Sequence, residues 1–207
     1  MNEGYSEVLH SIASSNPTPG GGSVAALSLA HAHSLAIMVS RLTLSKEKWA
    51  DGHEAAEHVI SESLRDLEYA IKLADMDARA FGHVMAAYRL PRGDDDEMDT
   101  RRQAIRAATI CAAEAPLDTA TKALELLSNL ETLCVSCNSN ALTDLASSAE
   151  LSYTAVNIAA MNVRVNLDFI EGEDVDILSS RINGVVNASS TSVGIVRSKV
   201  KERLGWT

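Results

Sequence analysis

Aromatic side chains are scarce in this sequence: Phe, Trp and Tyr make up 4% of its 207 residues, although 46% are apolar. A core with so few rings must be filled by Ala, Leu, Val and Ile, and those small shapes suit helices packed closely together. Positive charge is short as well. Eighteen Lys and Arg face 28 Asp and Glu, a formal charge of −10, which excludes a general nucleic-acid binder because phosphate contacts need clustered cations. A small anionic ligand stays open, since a local site can oppose the global field. The three cysteines, odd in number and irregular in spacing, exclude a disulfide framework and suit a reducing cytoplasm. No basic start followed by an apolar stretch is present, so no secretory signal is expected.

What the sequence has is helical periodicity almost throughout. The pattern predicts helices over about 2–13, 23–44, 51–90 and 97–129, the last bent or restarted at Pro116. A turn at 137–140 precedes a fifth helix reaching about Ile170, and Gly172 separates it from a sixth over about 173–203. No alternating strand pattern survives. The expected fold is all-α, an antiparallel bundle of about five to six long helices forming one domain over 1–207. Val24 to Leu44 is long enough to raise a membrane span. Ser28, His31, His33, Ser34, Ser40 and Arg41 interrupt it, so a buried bundle helix and no membrane partner are expected.

Several stretches carry possible chemistry, each beside a plainer reading. NPTPGGGS (16–23) puts Pro19, Gly20, Gly21, Gly22 and Ser23 directly before an apolar helix. Bare backbone amides at a helix N-terminus can hold an anion or a developing oxyanion; the plain reading is a tight turn. His53 and His58 lie five apart, out of phase for one metal, and His31 and His33 point to different faces. The acidic run at 94–97 reads as a capped helix start rather than a metal site, and Cys134 and Cys137 as ordinary thiols. Asp77 sits in a helix among Ala74, Ala78, Phe81 and Val84, where a carboxylate either reaches solvent or takes a raised pKa. Asn138, Asn140, Asp144, Asn157, Asn162, Arg164 and Asn166 punctuate the apolar fifth helix and its lead-in. Such a series implies either an inter-helix hydrogen-bond network or a ligand site.

Four segments together, PTPGGGSVAALSLAHAHSLAIMVSRLTL (17–44), DARAFGHVMAAYRLP (77–91), AAEAPLDTA (112–120) and NSNALTDLASSAEL with NIAAMNVRVNL (138–167), resemble the cyclodeaminase/cyclohydrolase family. That family comprises the cyclodeaminase half of formiminotransferase-cyclodeaminase and stand-alone methenyltetrahydrofolate cyclohydrolases. The sequence departs from it at Cys137, where Gly is frequent, and at SKEKW (45–49), where a Gly- and Lys-rich stretch with Tyr is usual. The resemblance implies a helical homodimer with a folate site near the dimer interface, lined by the glycine segment. It implies chemistry on the one-carbon bridge of tetrahydrofolate, with no metal and no cofactor beyond that substrate. Asp77 and Asp144 are then the catalytic carboxylates. Pro19, Gly20, Gly21, Gly22 and Ser23 line the site, and Asn138, Asn140, Asn162 and Asn166 bind pterin edges or a formyl oxygen. Arg164, with Lys46 or Lys48, pairs with the glutamate carboxylates. The expected reaction is hydrolysis of 5,10-methenyltetrahydrofolate; the alternatives are formiminotetrahydrofolate cyclodeamination and a folate-binding bundle without catalysis.

Overall fold

The computed structural model describes residues 3–168 and 170–206. Its helices are α1 (Glu3–Ile12), α2 (Gly21–Leu44), α3 (His53–Tyr88), α4 (Asp95–Ser136), α5 (Leu142–Leu167) and α6 (Glu173–Leu204). Short 3₁₀ segments at Glu47–Gly52 and Ser139–Ala141 join α2 to α3 and α4 to α5. Among the described residues there is no strand. Helices α2 to α5 form a closed ring in which each packs on the next and α5 returns to α2, while α6 lies against α4 and α5. Short connections reverse the chain each time, so neighbours run antiparallel. Asn2 and Phe169, placed in or beside helices by the sequence pattern, lie outside the described residues.

Close packing follows from the small side chains. Ala25, Ala26, Ala32 and Ala36 of α2 are wholly buried, as are Ala70 of α3, Ala113, Ala120 and Ala123 of α4, and Ala155 and Ala159 of α5. Leucines such as Leu29, Leu73, Leu127, Leu133 and Leu145 fill the space between these alanine faces, each worth about 1.5–3 kcal/mol of burial. By length and composition α2 is apolar enough to cross a membrane, but 61% of that stretch is buried inside the bundle.

Helix α4 runs on to Ser136 rather than ending near 129, and three further features differ from the sequence expectation. Helix α2 begins at Gly21 rather than Ser23, so two of the glycines form its first turn and Gly20 is its N-cap. Helix α3 begins at His53 rather than near 51, because Asp51 falls within the 3₁₀ segment and Gly52 is the residue that precedes the helix. Asp94 does cap, accepting from the Glu97 amide at 2.8 Å, while the Glu97 carboxylate accepts from the amide of Gly93, one residue before the cap, at 2.7 Å.

The third difference is at Pro116, where α4 continues without a restart from Asp95 to Ser136. Proline has no N–H, so the carbonyl four residues earlier, that of Ala112, loses its helical partner. Asn166 of α5 supplies the missing donor, its Nδ2 lying 3.0 Å from the Ala112 oxygen. Replacing Asn166 by Leu strands that carbonyl and should cost about 1–3 kcal/mol in chemical denaturation. In a Pro116→Ala background the helix supplies its own N–H, and most of that cost should vanish; an equal cost in both backgrounds would refute this account.

His33 on α2 is 2% exposed. Its Nδ1 lies 3.0 Å from Ser63 Oγ of α3, and its Nε2 is buried without a partner. Burial lowers its pKa to about 4, with the Asp66 carboxylate opposing that shift and Lys122 reinforcing it. The unfolded chain therefore binds the proton more tightly than the folded one. Stability from this site is complete above pH ~6.5 and is lost as pH falls toward 4, by roughly 3 kcal/mol in all. Urea titrations from pH 7 to 4.5 should show that decline, and His33→Leu should flatten it; an unchanged slope would show that other groups carry it.

Candidate functional site

The first helical bond of α2 runs from the Val24 amide to the Gly20 carbonyl, 3.0 Å. The amides of Gly21, Gly22 and Ser23 therefore have no acceptor within the helix and carry the positive end of its dipole. Helix α3 brings Asp77 to this terminus. The Ser23 hydroxyl donates to the Ala74 carbonyl at 2.9 Å and lies 3.1 Å from Asp77 Oδ2. Only a residue without a side chain permits this approach, because a Cβ at Gly22 would stand 2.7 Å from Oδ2 and closer still to Oδ1. Burial raises the Asp77 pKa above the ordinary carboxylate value, and the Ser23 hydroxyl and backbone amide pull it partly back.

Asp77 opens onto a cavity of about 350 Å³. Pro17, Thr18 and the three glycines form one wall, Phe81 and Val84 of α3 a second, and Ala112 of α4 a third. Helix α5 closes it with Asn162, Val165 and Asn166. Asn162 Nδ2 donates to the Ile158 carbonyl at 2.9 Å, as Asn166 Nδ2 does to Ala112. Each amide is thus oriented by its nitrogen, leaving Oδ1 as an acceptor. The cavity combines a raised carboxylic acid, free helix-terminal amides and two oriented acceptors beside an apolar wall. Such a set can move a proton and stabilise an oxygen that gains charge.

Of the sequence candidates, Gly20, Gly21, Gly22, Asp77, Asn162 and Asn166 meet in this cavity, with Ser23 behind Asp77. Pro19 does not line it; its neighbours Pro17 and Thr18 do. Arg164 is turned away, donating to Asn183 Oδ1 of α6 at 3.0 Å, because two residues along a helix is more than half a turn from Asn162. Lys46, Lys48, Asn138, Asn140 and Asp144 lie at the other end of the bundle. From Gly21 to Leu44 α2 rises roughly 35 Å, and Asp144 is roughly 27 Å from Asn162 along α5.

Asn138 serves that far end structurally. Its Nδ2 donates to the Leu42 carbonyl and its Oδ1 accepts from the Asn140 amide, both at 3.0 Å. Asn140 is exposed, and Lys48 lies over the Trp49 ring at 4.9 Å. Cys134 and Cys137 are buried free thiols, with Arg203 donating to the Cys137 sulfur at 3.3 Å. The wall residues Ala112 and Val165 escaped the sequence reading, because apolar residues at helical spacing announce only burial.

The family model described as formiminotransferase-cyclodeaminase matches residues 4–179. A methenyltetrahydrofolate cyclohydrolase from Methylorubrum extorquens is 35% identical over 80% of this chain and 79% of its own. Formimidoyltransferase-cyclodeaminases of Rattus norvegicus and Gallus gallus are 29% and 31% identical over 89% and 75% of the chain, which spans 34% and 29% of their lengths. A crystal structure of formiminotetrahydrofolate cyclodeaminase from Thermotoga maritima superposes with a TM-score of 0.79 at 24% identity, covering 99% of this chain and 96% of that one. That last likeness concerns the fold alone.

The two glycines make opposite demands. A Cβ at Gly21 meets Asn162 Nδ2 at an ordinary 3.5 Å, whereas one at Gly22 displaces Asp77. Gly22→Ala should return the Asp77 pKa toward its ordinary value by carboxyl NMR titration, and Gly21→Ala should leave it raised. Equal titration in both variants would show that Gly22 does not seat the carboxylate.

Proposed function

Because the chain belongs to the formiminotransferase-cyclodeaminase family, we propose that it is a folate one-carbon enzyme hydrolysing 5,10-methenyltetrahydrofolate to 10-formyltetrahydrofolate. The observation that carries this reading is Asp77, a half-buried carboxylate of raised pKa facing free helix-terminal amides in a cavity of about 350 Å³. The cyclohydrolase relative supports hydrolysis over the other family reaction.

The substrate's bridge is a cationic amidinium carbon. Bound beside Asp77, its charge favours the ionised carboxylate and offsets the penalty of burial. Asp77 takes a proton from water as the water oxygen bonds to the bridge carbon and the amidinium electron pair settles on nitrogen. The carboxylic acid so formed returns that proton to N5 as the C–N5 bond breaks. The adduct's hydroxyl proton leaves to solvent, and the formyl group stays on N10. Amides of Gly21 and Gly22 donate to the oxygen while it gains charge. The oxygens of Asn162 and Asn166 accept from the pterin's N–H edge. In the cyclodeaminase reaction the same acid would protonate departing ammonia after N10 attacks the formimino carbon, a reading supported by the names of the two-domain relatives.

The protein acts as a homodimer in this proposal, supported by large apolar side chains left exposed on α2 and α5, Met38 and Leu42 toward one end of the bundle and Met161 and Val165 toward the other. One chain keeps Asp77 and Asp144 far apart, so Asp144 and the lysines near it would join a site only through a second copy. Three free thiols suit a reducing, cytoplasmic setting.

Purified protein should remove methenyltetrahydrofolate absorbance faster than buffer across pH 6–8. Asp77→Asn should lower kcat by about 10²–10⁴-fold while melting no earlier than the parent. Buffer-level rates would sink hydrolysis, ammonia release from the formimino substrate would favour the other reaction, and full turnover by Asp77→Asn would remove that residue from the chemistry.

A further inference from the structure

Hydroxyl groups in this bundle commonly turn back on their own helix. Those of Ser28, Ser34, Thr43, Thr119 and Ser152 each donate to the carbonyl four residues earlier. Ser23 has no such acceptor, because it lies in the first turn of α2 and the residue four before it, Pro19, precedes the helix. Its hydroxyl crosses instead to α3. Two acceptors stand within its reach there, the Ala74 carbonyl at 2.9 Å and Asp77 Oδ2 at 3.1 Å. Ser23 is 1% exposed, so bulk water does not compete for the bond.

A serine hydroxyl has one proton to donate and accepts through its oxygen. It therefore cannot donate to both partners at once, and the state of Asp77 decides between them. An ionised Asp77 offers only acceptors, so the hydroxyl turns to Oδ2 and makes a charge-assisted bond, the stronger of the two. A protonated Asp77 donates from Oδ2 to the Ser23 oxygen, and the hydroxyl turns to the Ala74 carbonyl. That carbonyl lies in mid-helix, where the amide of residue 78 is its regular partner, so it is not stranded when the hydroxyl leaves. One rotation about Cβ–Oγ thus satisfies either form of the acid. The Ser23 backbone amide, by contrast, is fixed by α2 and favours the ionised form alone.

No charged neighbour overrides this choice. Asp77 is the only ionisable side chain among those lining the cavity. On α3 the nearest charged residues, Asp75 and Arg79, are exposed and stand more than half a turn away. On α2, His31 is bonded to the Leu27 carbonyl and the Tyr5 hydroxyl. On α4, Cys111 donates to Glu114, and on α5 Arg164 donates to Asn183.

We propose that Ser23 is a positioning residue whose hydroxyl turns between the Ala74 carbonyl and Asp77 as Asp77 loses and gains its proton, seating the carboxyl in one geometry as base and as acid. The proposal rests on the reading of Asp77 as the group that takes a proton from water and returns it to nitrogen. Such a reaction visits both protonation states in every turnover, and a group that could only donate would hold one of them and leave the other unmatched. Ser23 keeps its own proton throughout and acts from behind Asp77, where the resemblance counts it among the residues lining the site.

Carbon-13 NMR of the unliganded protein tests this independently of turnover. In the parent the Ala74 carbonyl signal should move with the same midpoint as the Asp77 carboxyl, because it gains the hydroxyl's bond as Asp77 takes a proton. In Ser23→Ala that movement should largely vanish. The Asp77 midpoint should also rise by about one pH unit there, since the ionised form loses its charge-assisted donor. Ser23→Thr keeps the hydroxyl and should titrate as the parent does. With methenyltetrahydrofolate as substrate, the acid limb of kcat/KM should rise equally in Ser23→Ala and return in Ser23→Thr. A merely structural role would lower the rate alike at every pH and leave the limb in place. An Ala74 signal in the parent that ignores Asp77 would overturn the proposal, as would an unmoved Asp77 midpoint in Ser23→Ala or an equal rise in Ser23→Thr. A protein that passes the titrations but turns over no folate would keep the hydroxyl switch and lose the folate reading.

Discussion

The close approach of α2 to α3 is the constraint on which the rest depends. With few rings to fill space, the bundle must bring helix axes together, and wholly buried Ala25, Ala26 and Ala70 allow it. At the end of α2 the same closeness continues into Gly22 and Ser23, which lets the hydroxyl of one helix touch the backbone and the carboxylate of the other. A partly desolvated carboxylate is unfavourable as a structural element. Here it is held by packing that the alanine faces have already stabilised, so the cost of the acid is spread over a large apolar contact.

Helix direction then distributes chemistry. Because α2 and α5 each run most of the bundle's length, their sequence motifs are divided between two ends. The glycine end receives Asp77 from α3 and the Asn162 and Asn166 pair from α5. The far end receives Asn138, which ties the last turn of α2 to the start of α5. The polar residues of the fifth helix and its lead-in are therefore of two kinds, a joint at one end and a cavity wall at the other.

Helix number, order and the enclosed nature of α2 were legible from periodicity, since a 3.6-residue apolar pattern directly records burial on one side. The glycine run was legible as a helix start but was placed two residues late, because glycine's poor propensity argues against the helical turn that tertiary contact with Asp77 imposes. Asp77, Asn162 and Asn166 were recognisable as polar residues on apolar faces. Their separation from Asp144 was not, since a motif has no length in three dimensions until its helix is followed for 18 residues. Arg164 falls outside the cavity for a related reason: adjacency in a motif is not adjacency on a helix.

Pro116 links two positions 50 residues apart. As long as proline stands there, residue 166 must bring a donor to the Ala112 carbonyl, and its amide is fixed with the oxygen toward the cavity. Were position 116 to regain an N–H, residue 166 would be freed to turn or to change identity. The two positions should therefore be exchanged together when such chains diverge. A single backbone vacancy in one helix thus sets the polarity of a recognition surface on another, and a substitution far from any ligand could alter what the cavity reads.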